Sequence, residues 1–242
     1  MSFGSVADDY DRLRPGPAPA AVDWLLPGRR AVVVDVGAGT GLLSRAVAAV
    51  AGHVIAVEPD ERMRAVLAER SPGVEVLAGR GEAIPLPDAV ADAVLVSSAF
   101  HWMDPELAVP EIARVLRDDG RFGVVGTGRE RTEWLRAGEW FATDDQDLAS
   151  RPARENRRVV VPDPALFRNI ETAAFRFTRM MTTPDLVEWL TTYSRVITAS
   201  EDVKAAGRAR ATAALAAQFP GATEIEVPML SRCWRADRVP RS

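Results

Sequence analysis

The chain has 242 residues, 47% of them hydrophobic and 26% charged, a balance that suits one packed domain and excludes disordered or fibrous architectures. Its net charge of −4 gives no long-range attraction to a phosphate backbone, which argues against nucleic acid as substrate; the basic stretch RPARENRR at 151–158 is broken by Pro152 and Glu155 and reads as a solvated loop. One cysteine, Cys233, rules out an intrachain disulfide, no His or Cys spacing suggests a metal, and neither a leader nor an apolar run of the ~20 residues that span a bilayer is present, so a cytoplasmic protein is expected.

The apolar β-branched run AVVVDV at 31–36 predicts a strand, and glycines follow at 37, 39 and 41. Leu42, Leu43, Ala46, Val47 and Val50 then recur at three- and four-residue intervals, which gives a helix one apolar face to lay on a sheet. A second strand is expected at 53–58. Pro59, Asp60 and Glu61 open a helix over 60–70, because proline lacks only an N–H that the first turn leaves unpaired and the carboxylates complement the helix dipole. Strands at 74–78, 92–97 and 121–127 follow, with a helix over 105–117 opened by Pro105 and closed by RDDG at 117–120.

Strands alternating with crossover helices from 31 to 127 predict a doubly wound, mostly parallel sheet of the α/β class. Residues 129–170 carry more charge and more aromatics, with a helix expected near 131–142. Beyond them ETAAFRFTRMM (171–181) alternates as a strand, 184–199 and 201–218 read as helices, and 223–236 as a last strand in which Pro228 suggests an edge or bulge position.

The glycine turn is the feature that carries chemistry. Glycine permits positive φ and lets a ligand approach the backbone, and the helix that follows offers unpaired N–H groups. The dinucleotide fingerprint GxGxxG would place its third glycine at 42, where this chain has Leu42; the spacing here is GxGxG, the form that holds an amino-acid nucleoside. Glu58 ends the second strand, where its carboxylate can accept hydrogen bonds from both hydroxyls of a ribose. An NAD-dependent oxidoreductase would use the same acid, and a noncatalytic cofactor-binding protein would need no more than these residues, so both stand as alternatives at this point.

Five motifs taken in order separate the readings: DVGAGTG (35–41), VIAVEPDERM (54–63), GRGEAIPLPD (79–88), SSAFHWMD (97–104) and RVLRDDGRFGVV (114–125). As a set they resemble the class I S-adenosylmethionine-dependent methyltransferases, and among these the small-molecule enzymes of the trans-aconitate methyltransferase group. The resemblance extends to VADDYDRLRPGP near the N-terminus and covers most of the chain. It implies a seven-stranded sheet with an antiparallel last strand and S-adenosylmethionine as cofactor. It sets the methionine moiety over Gly37, Ala38 and Gly39 in the turn that runs from Asp35 to Gly41, and the ribose on Glu58 beside Pro59. Met63, Gly81, Glu82 and Ala83 would border the adenine, Ser97 would close the fourth strand beside the ligand, and Tyr10 with Arg14 would reach the methionine carboxylate. Two positions depart from the pattern. Arg80 stands where similar proteins often place Asp or Thr, and Asp119 replaces the first glycine of a PGG turn.

Methyl transfer is an in-line displacement that demands alignment more than covalent help. His101, in AFHW at 99–102, follows the fourth strand and is the candidate base or acceptor-orienting group. Trp134, Trp140, Trp189 and Tyr193 are available to wall an acceptor pocket or to pack a core. The expected organisation is a single domain, 1–242, in which 31–127 binds the cofactor, 129–242 forms the acceptor side, and segments 1–26 and 184–218 cover the site. The expected partner is a small-molecule acceptor, with no nucleic acid and no membrane.

Overall fold

The β-branched run is the strand on which the rest is hung. In the computed structural model, which describes residues 11–28, 30–130, 132–135, 140, 141, 159, 163–193, 196 and 199–241, β1 (Arg30–Val36) pairs in parallel with β2 (Ala51–Glu58) on one side and β4 (Ala91–Ser97) on the other. β3 (Val74–Ala78) extends the sheet beyond β2, and β5 (Leu116–Arg129) extends it beyond β4, both in parallel. β7 (Glu224–Arg238) runs antiparallel between β5 and β6 (Phe167–Thr182), giving the order β3-β2-β1-β4-β5-β7-β6. The strand order therefore reverses between β1 and β4, and in open α/β sheets ligands bind outside the carboxyl ends of the strands at such a point.

Helices α1 (Pro19–Leu25) and α2 (Leu42–Ala48) cover one face, where Val22, Leu25, Leu43 and Val47 pack on Val33, Val54, Leu95 and Val125. Helix α4 (Pro105–Val115) covers the other with Val109 and Ile112 on Val34, Val94, Val96 and Phe122. Both faces of the central strands are thus buried, which is why they read as unbroken apolar runs. Helix α3 (Glu61–Arg70) starts one residue later than expected because Asp60 is its cap, accepting from the N–H groups of Arg62 and Met63 at 3.0 and 3.1 Å.

β6 runs parallel to β5, so its carboxyl end and the amino end of β7 lie on the ligand edge of the sheet. The connection between them carries α5 (Thr183–Thr191) and α6 (Glu201–Gln218). These helices form a third apolar cluster with Leu13, Leu135, Trp140, Ile225, Val227 and Met229, in which Leu186, Trp189 and Leu190 are fully buried.

Several expectations are corrected. RDDG is not a turn outside the strand: β5 begins at Leu116, which pairs with Ala91, and the irregularity is absorbed by Asp119 at φ +61°, a left-handed conformation that Asp tolerates better than most side chains. The helix expected over 184–199 stops at Thr191, where the Thr192 hydroxyl donates to the Trp189 carbonyl at 2.7 Å in competition with the helical ladder. Residues 132–135 are not helical, so a helix over 131–142 does not begin there. β7 is an interior strand and β6 is the edge. Pro228 is tolerated because β5 pairing ends with Arg129 opposite Met229; the Pro228 carbonyl accepts from Glu130 N at 2.8 Å, and the N–H that proline lacks would have pointed past the end of β5. Segment 151–158 lies outside the described residues.

Candidate active site

The turn after β1 is held by its own hydrogen bonds. Gly37 and Ala38 donate their N–H groups to the Val57 carbonyl at 2.8 and 3.2 Å, and Gly41 donates to the Ala38 carbonyl at 3.0 Å. Gly39 donates to Glu58 Oε2 at 2.8 Å. These four N–H groups of the turn are consumed inside the protein, so any free N–H groups at this corner come from the first turn of α2, as expected. A pyrophosphate would need such groups free. A nucleoside does not.

The three glycines serve different purposes. A Cβ on Gly37 would come within 2.7 Å of the Ala99 Cβ, and one on Gly41 within 2.9 Å of Leu67 and Ser71, so both are required by packing as well as by their positive φ of 69° and 87°. Among the described residues, its chain neighbours aside, Gly39, at φ 58°, has nothing within 4 Å of a built Cβ. It alone of the three faces open space at the switch point.

Beside that space stands Glu58. Its residue is 7% exposed, Oε1 accepts from Asp60 N at 2.9 Å and Oε2 from Gly39 N. A carboxylate has about four lone-pair positions, so about two remain for donors from outside. Burial pushes the Glu58 carboxyl above the usual range, opposed by the Asp60 and Gly39 N–H bonds, while the neighbouring Asp60 charge also raises it. Arg64 braces the same corner by donating to the Glu58 and Pro59 carbonyls at 2.9 and 2.7 Å, and Pro59 itself is exposed.

Asp35 does not line this space. It is fully buried beneath the turn, with Oδ2 accepting from the Ser44 hydroxyl at 2.6 Å and Oδ1 without a hydrogen-bond partner. Burial, reinforced by the Glu58 charge, pushes its carboxyl up to about 7 against the Ser44 bond. Its place makes it a support that ties β1 to α2. The open corner fits an adenosine moiety: spare acceptor positions for vicinal hydroxyls, and a glycine whose missing side chain leaves room.

The adenine-side candidates come together on the loop after β3. Arg80 and Ala83 exchange backbone hydrogen bonds at 3.4 and 3.1 Å, forming a tight turn around Gly81 and Glu82. Gly81 is glycine because a Cβ there would meet the Met103 sulfur at 2.6 Å, and Glu82 Oε1 accepts from Asp104 N at 2.9 Å, so the loop is fastened to the segment after β4. The Arg80 side chain points to solvent, 70% exposed and 3.5 Å from the Glu82 carboxylate, leaving the backbone of this turn to face a ligand. Met63 is buried on α3 and Ala83 is exposed.

His101 lies in a short 3₁₀ turn, Phe100–Trp102, immediately past the end of β4 at Ser97, with its ring 5.0 Å from that of Trp102. Ser98 takes φ 54° and donates to the Val125 carbonyl at 2.8 Å, turning the chain across the carboxyl edge and delivering His101 there. His53, by contrast, sits on β2 in an exposed pair with Glu75 at 2.8 Å. Arg14 stands against the end of α5: Nη2 donates to the Thr192 carbonyl at 2.9 Å and the guanidinium lies 4.6 Å from the Tyr193 ring. Tyr10 is outside the described residues. Among the described residues no cluster of His, Cys, Asp or Glu is placed to hold a metal, and no helix is long and apolar enough to cross a membrane.

Residues 34–124 match the methyltransferase-domain family model, a span that runs from β1 to β5 and contains the glycine turn, Glu58, the 80–83 loop and His101, with Tyr10 and Arg14 outside it. Over 240 residues the chain is 38% identical to an uncharacterized methyltransferase of Mycobacterium tuberculosis, covering 98% of this chain and 95% of that one. The chain belongs to the class I methyltransferases. Its methyl donor is S-adenosylmethionine. The same methyltransferase fold recurs in a solved methyltransferase from Anaeromyxobacter dehalogenans, with a TM-score of 0.74 at 25% identity over 94% of this chain and 99% of that one. It recurs also in a Haemonchus contortus phosphoethanolamine N-methyltransferase, with a TM-score of 0.57 at 15% identity over 100% of this chain and 61% of that one.

Proposed function

We propose that this methyltransferase acts on a small-molecule acceptor held at the carboxyl edge of the sheet, in the branch that the trans-aconitate methyltransferases exemplify. The observation that carries the reading is the position of the β6–β7 insertion. Helices α5 and α6 follow the carboxyl end of β6, and residues 12–14 are tied to α5 and its end, an arrangement that supports an enclosed acceptor better than an open macromolecular surface. The N-terminal strap is fastened at several points: Asp11 to Arg45 and Arg70 at 2.6 and 2.9 Å, Arg12 to Asp185, and Arg14 to Thr192. Buried Cys233, the chain's one thiol, and the net charge of −4 agree with a cytosolic enzyme that does not act on nucleic acid.

When bound, S-adenosylmethionine supplies an electrophilic sulfonium methyl that a nucleophile displaces in line. In this reading Glu58 holds the ribose hydroxyls with its two remaining acceptor positions, Gly37 to Gly39 let the methionine moiety lie close to the backbone, and Arg14 anchors the strap that closes over it. Met63 and the backbone of Gly81, Glu82 and Ala83 flank the adenine. His101 accepts a proton from a hydroxyl or amine acceptor, and the strap with α5 and α6 excludes water.

The test is transfer of labelled methyl from S-adenosylmethionine into a cell extract separated into metabolites, proteins and nucleic acids. Label in the metabolite fraction is the expected result. Label confined to protein or nucleic acid overturns the reading.

A further inference from the structure

The crossover from β3 to β4, residues 79–90, contains no helix. Parallel strands are usually joined through a helix, whose own hydrogen bonds and apolar stripe hold the connection in place. This loop takes its fastening from α4 instead. Ile84, the residue after the 80–83 turn, has both backbone groups captured: its N–H donates to Glu111 Oε1 at 2.8 Å, and its carbonyl accepts from Arg114 Nη2 at 3.0 Å. Arg114 Nη1 goes on to the Leu86 carbonyl at 2.9 Å and to Asp88 at 2.7 Å.

Glu111 and Arg114 stand three residues apart on one face of α4 and bind each other through two bonds of 2.7 Å, Nε to Oε2 and Nη2 to Oε1. Those bonds hold the Glu111 carboxyl below the usual carboxylate range, so at neutral pH it is ionised and can only accept. The helix that carries the pair is itself anchored in the core by Val109, Ile112 and Val115, all fully buried. What the pair grips is the base of the 80–83 turn. Contact closes the same base, because a Cβ on Gly79 would come within 2.6 Å of the Pro85 ring and 2.9 Å of Val57. Glu82 ties the tip of the turn to Asp104 N at 2.9 Å, and the height of its base is left to Ile84.

A turn that presents backbone groups to a base can tell one base from another only at hydrogen-bond distance, since such a bond is lost beyond about 3.5 Å. Adenine offers an amino donor beside an acceptor nitrogen, whereas hypoxanthine offers a carbonyl acceptor beside an N–H, the same edge with its polarity reversed. We propose that Glu111 and Arg114 are positioning residues for the cofactor: by gripping Ile84 they set the 80–83 turn at the distance at which it distinguishes adenine from a base with the reversed edge. The proposal rests on the reading that this turn flanks the adenine of S-adenosylmethionine. In it neither side chain contacts the ligand; both act through the loop.

The experiment is calorimetric titration with S-adenosylhomocysteine and with S-inosylhomocysteine, the same molecule carrying hypoxanthine in place of adenine, on protein shown to be folded by its urea transition. The wild type is expected to bind S-adenosylhomocysteine tenfold or more tighter than its counterpart. Glu111→Ala, and the milder Arg114→Lys, whose single ammonium cannot span the Ile84 and Leu86 carbonyls at once, each cut that ratio threefold or more. Glu111→Gln keeps an oxygen acceptor for Ile84 N and restores part of the ratio. Asp88→Ala, which removes an exposed partner of Arg114 and spares Ile84, leaves it at the wild-type value. Lost stability alone weakens both ligands alike, and the ratio stays. A ratio unchanged in folded Glu111→Ala or Arg114→Lys overturns the proposal, as does a wild type that binds the two ligands equally, or a loss in Asp88→Ala as large as that in Glu111→Ala. A wild type that takes up neither ligand overturns the methyl-transfer reading as well.

Discussion

Alanine at Gly39 and at Gly37 should separate fold from ligand. At Gly39 the backbone conformation, φ 58°, costs a non-glycine residue about 1–2 kcal/mol, and among the described residues, chain neighbours aside, no atom lies within 4 Å of the new methyl group. At Gly37 the same conformational cost is joined by a 2.7 Å approach to the Ala99 Cβ, an overpacking worth about 1–3 kcal/mol more. Gly39→Ala should therefore lose about 1–2 kcal/mol and Gly37→Ala about 2–5 kcal/mol of stability, or very roughly 2–8 °C and 4–20 °C in Tm for a domain of this size. The order reverses for function. The methyl group on Gly39 occupies the room into which the ligand is expected to fit, so affinity for S-adenosylhomocysteine should fall at least tenfold in a protein that remains folded. Urea denaturation and calorimetric titration on both variants supply the numbers. Gly39→Ala binding within threefold of wild type, or Gly37→Ala no less stable than Gly39→Ala, would refute the division of labour.

Replacing His101 by Ala should lower turnover by ~10²-fold with affinity for S-adenosylhomocysteine unchanged; equal turnover would leave His101 with a structural role only. Asp35 makes a signed prediction about pH. Its folded pKa of about 7 lies above the unfolded value near 3.9, so the native state holds the proton longer and stability falls as pH rises through the window from about 4 to 7. The full effect is about 4 kcal/mol by order of magnitude; Asp35→Asn should flatten the slope between pH 5 and pH 8, and an unchanged slope in urea titrations would refute it. Asp11, whose carboxyl is held below the usual range by Arg45 and Arg70 in spite of burial, acts in the opposite sense and loses its contribution as pH falls. Asp11→Ala should raise hydrogen exchange in residues 11–14 while leaving β1, β2 and β4 protected; unaltered exchange in the strap would show that these ion pairs do not fasten it.

Much of the fold could be read from the chain because local chemistry and global packing agree in its first half. Doubly buried strands demand apolar runs, Pro59 with Asp60 and Pro105 with Asp104 announce helix starts, and Glu58 falls at a strand end that the strand length fixes. Where long-range pairing decides, local signals fail. Leu116 to Asp119 carry turn chemistry but are drawn into β5 by Ala91, and Pro228 marks the end of a neighbour rather than of its own strand. The glycine turn was legible as a motif but not in detail, since only the geometry shows that its N–H groups are spent on Val57, Ala38 and Glu58.

The most direct test of the whole account is a calorimetric comparison of wild type and Glu58→Ala, titrated with S-adenosylhomocysteine and with NAD. Charge-assisted hydrogen bonds are worth about 1.5–3 kcal/mol each, so loss of two should weaken S-adenosylhomocysteine by roughly 10²- to 10⁴-fold, with NAD binding poorly to either protein. Equal affinity of the two proteins for S-adenosylhomocysteine, or tighter binding of NAD, would contradict it.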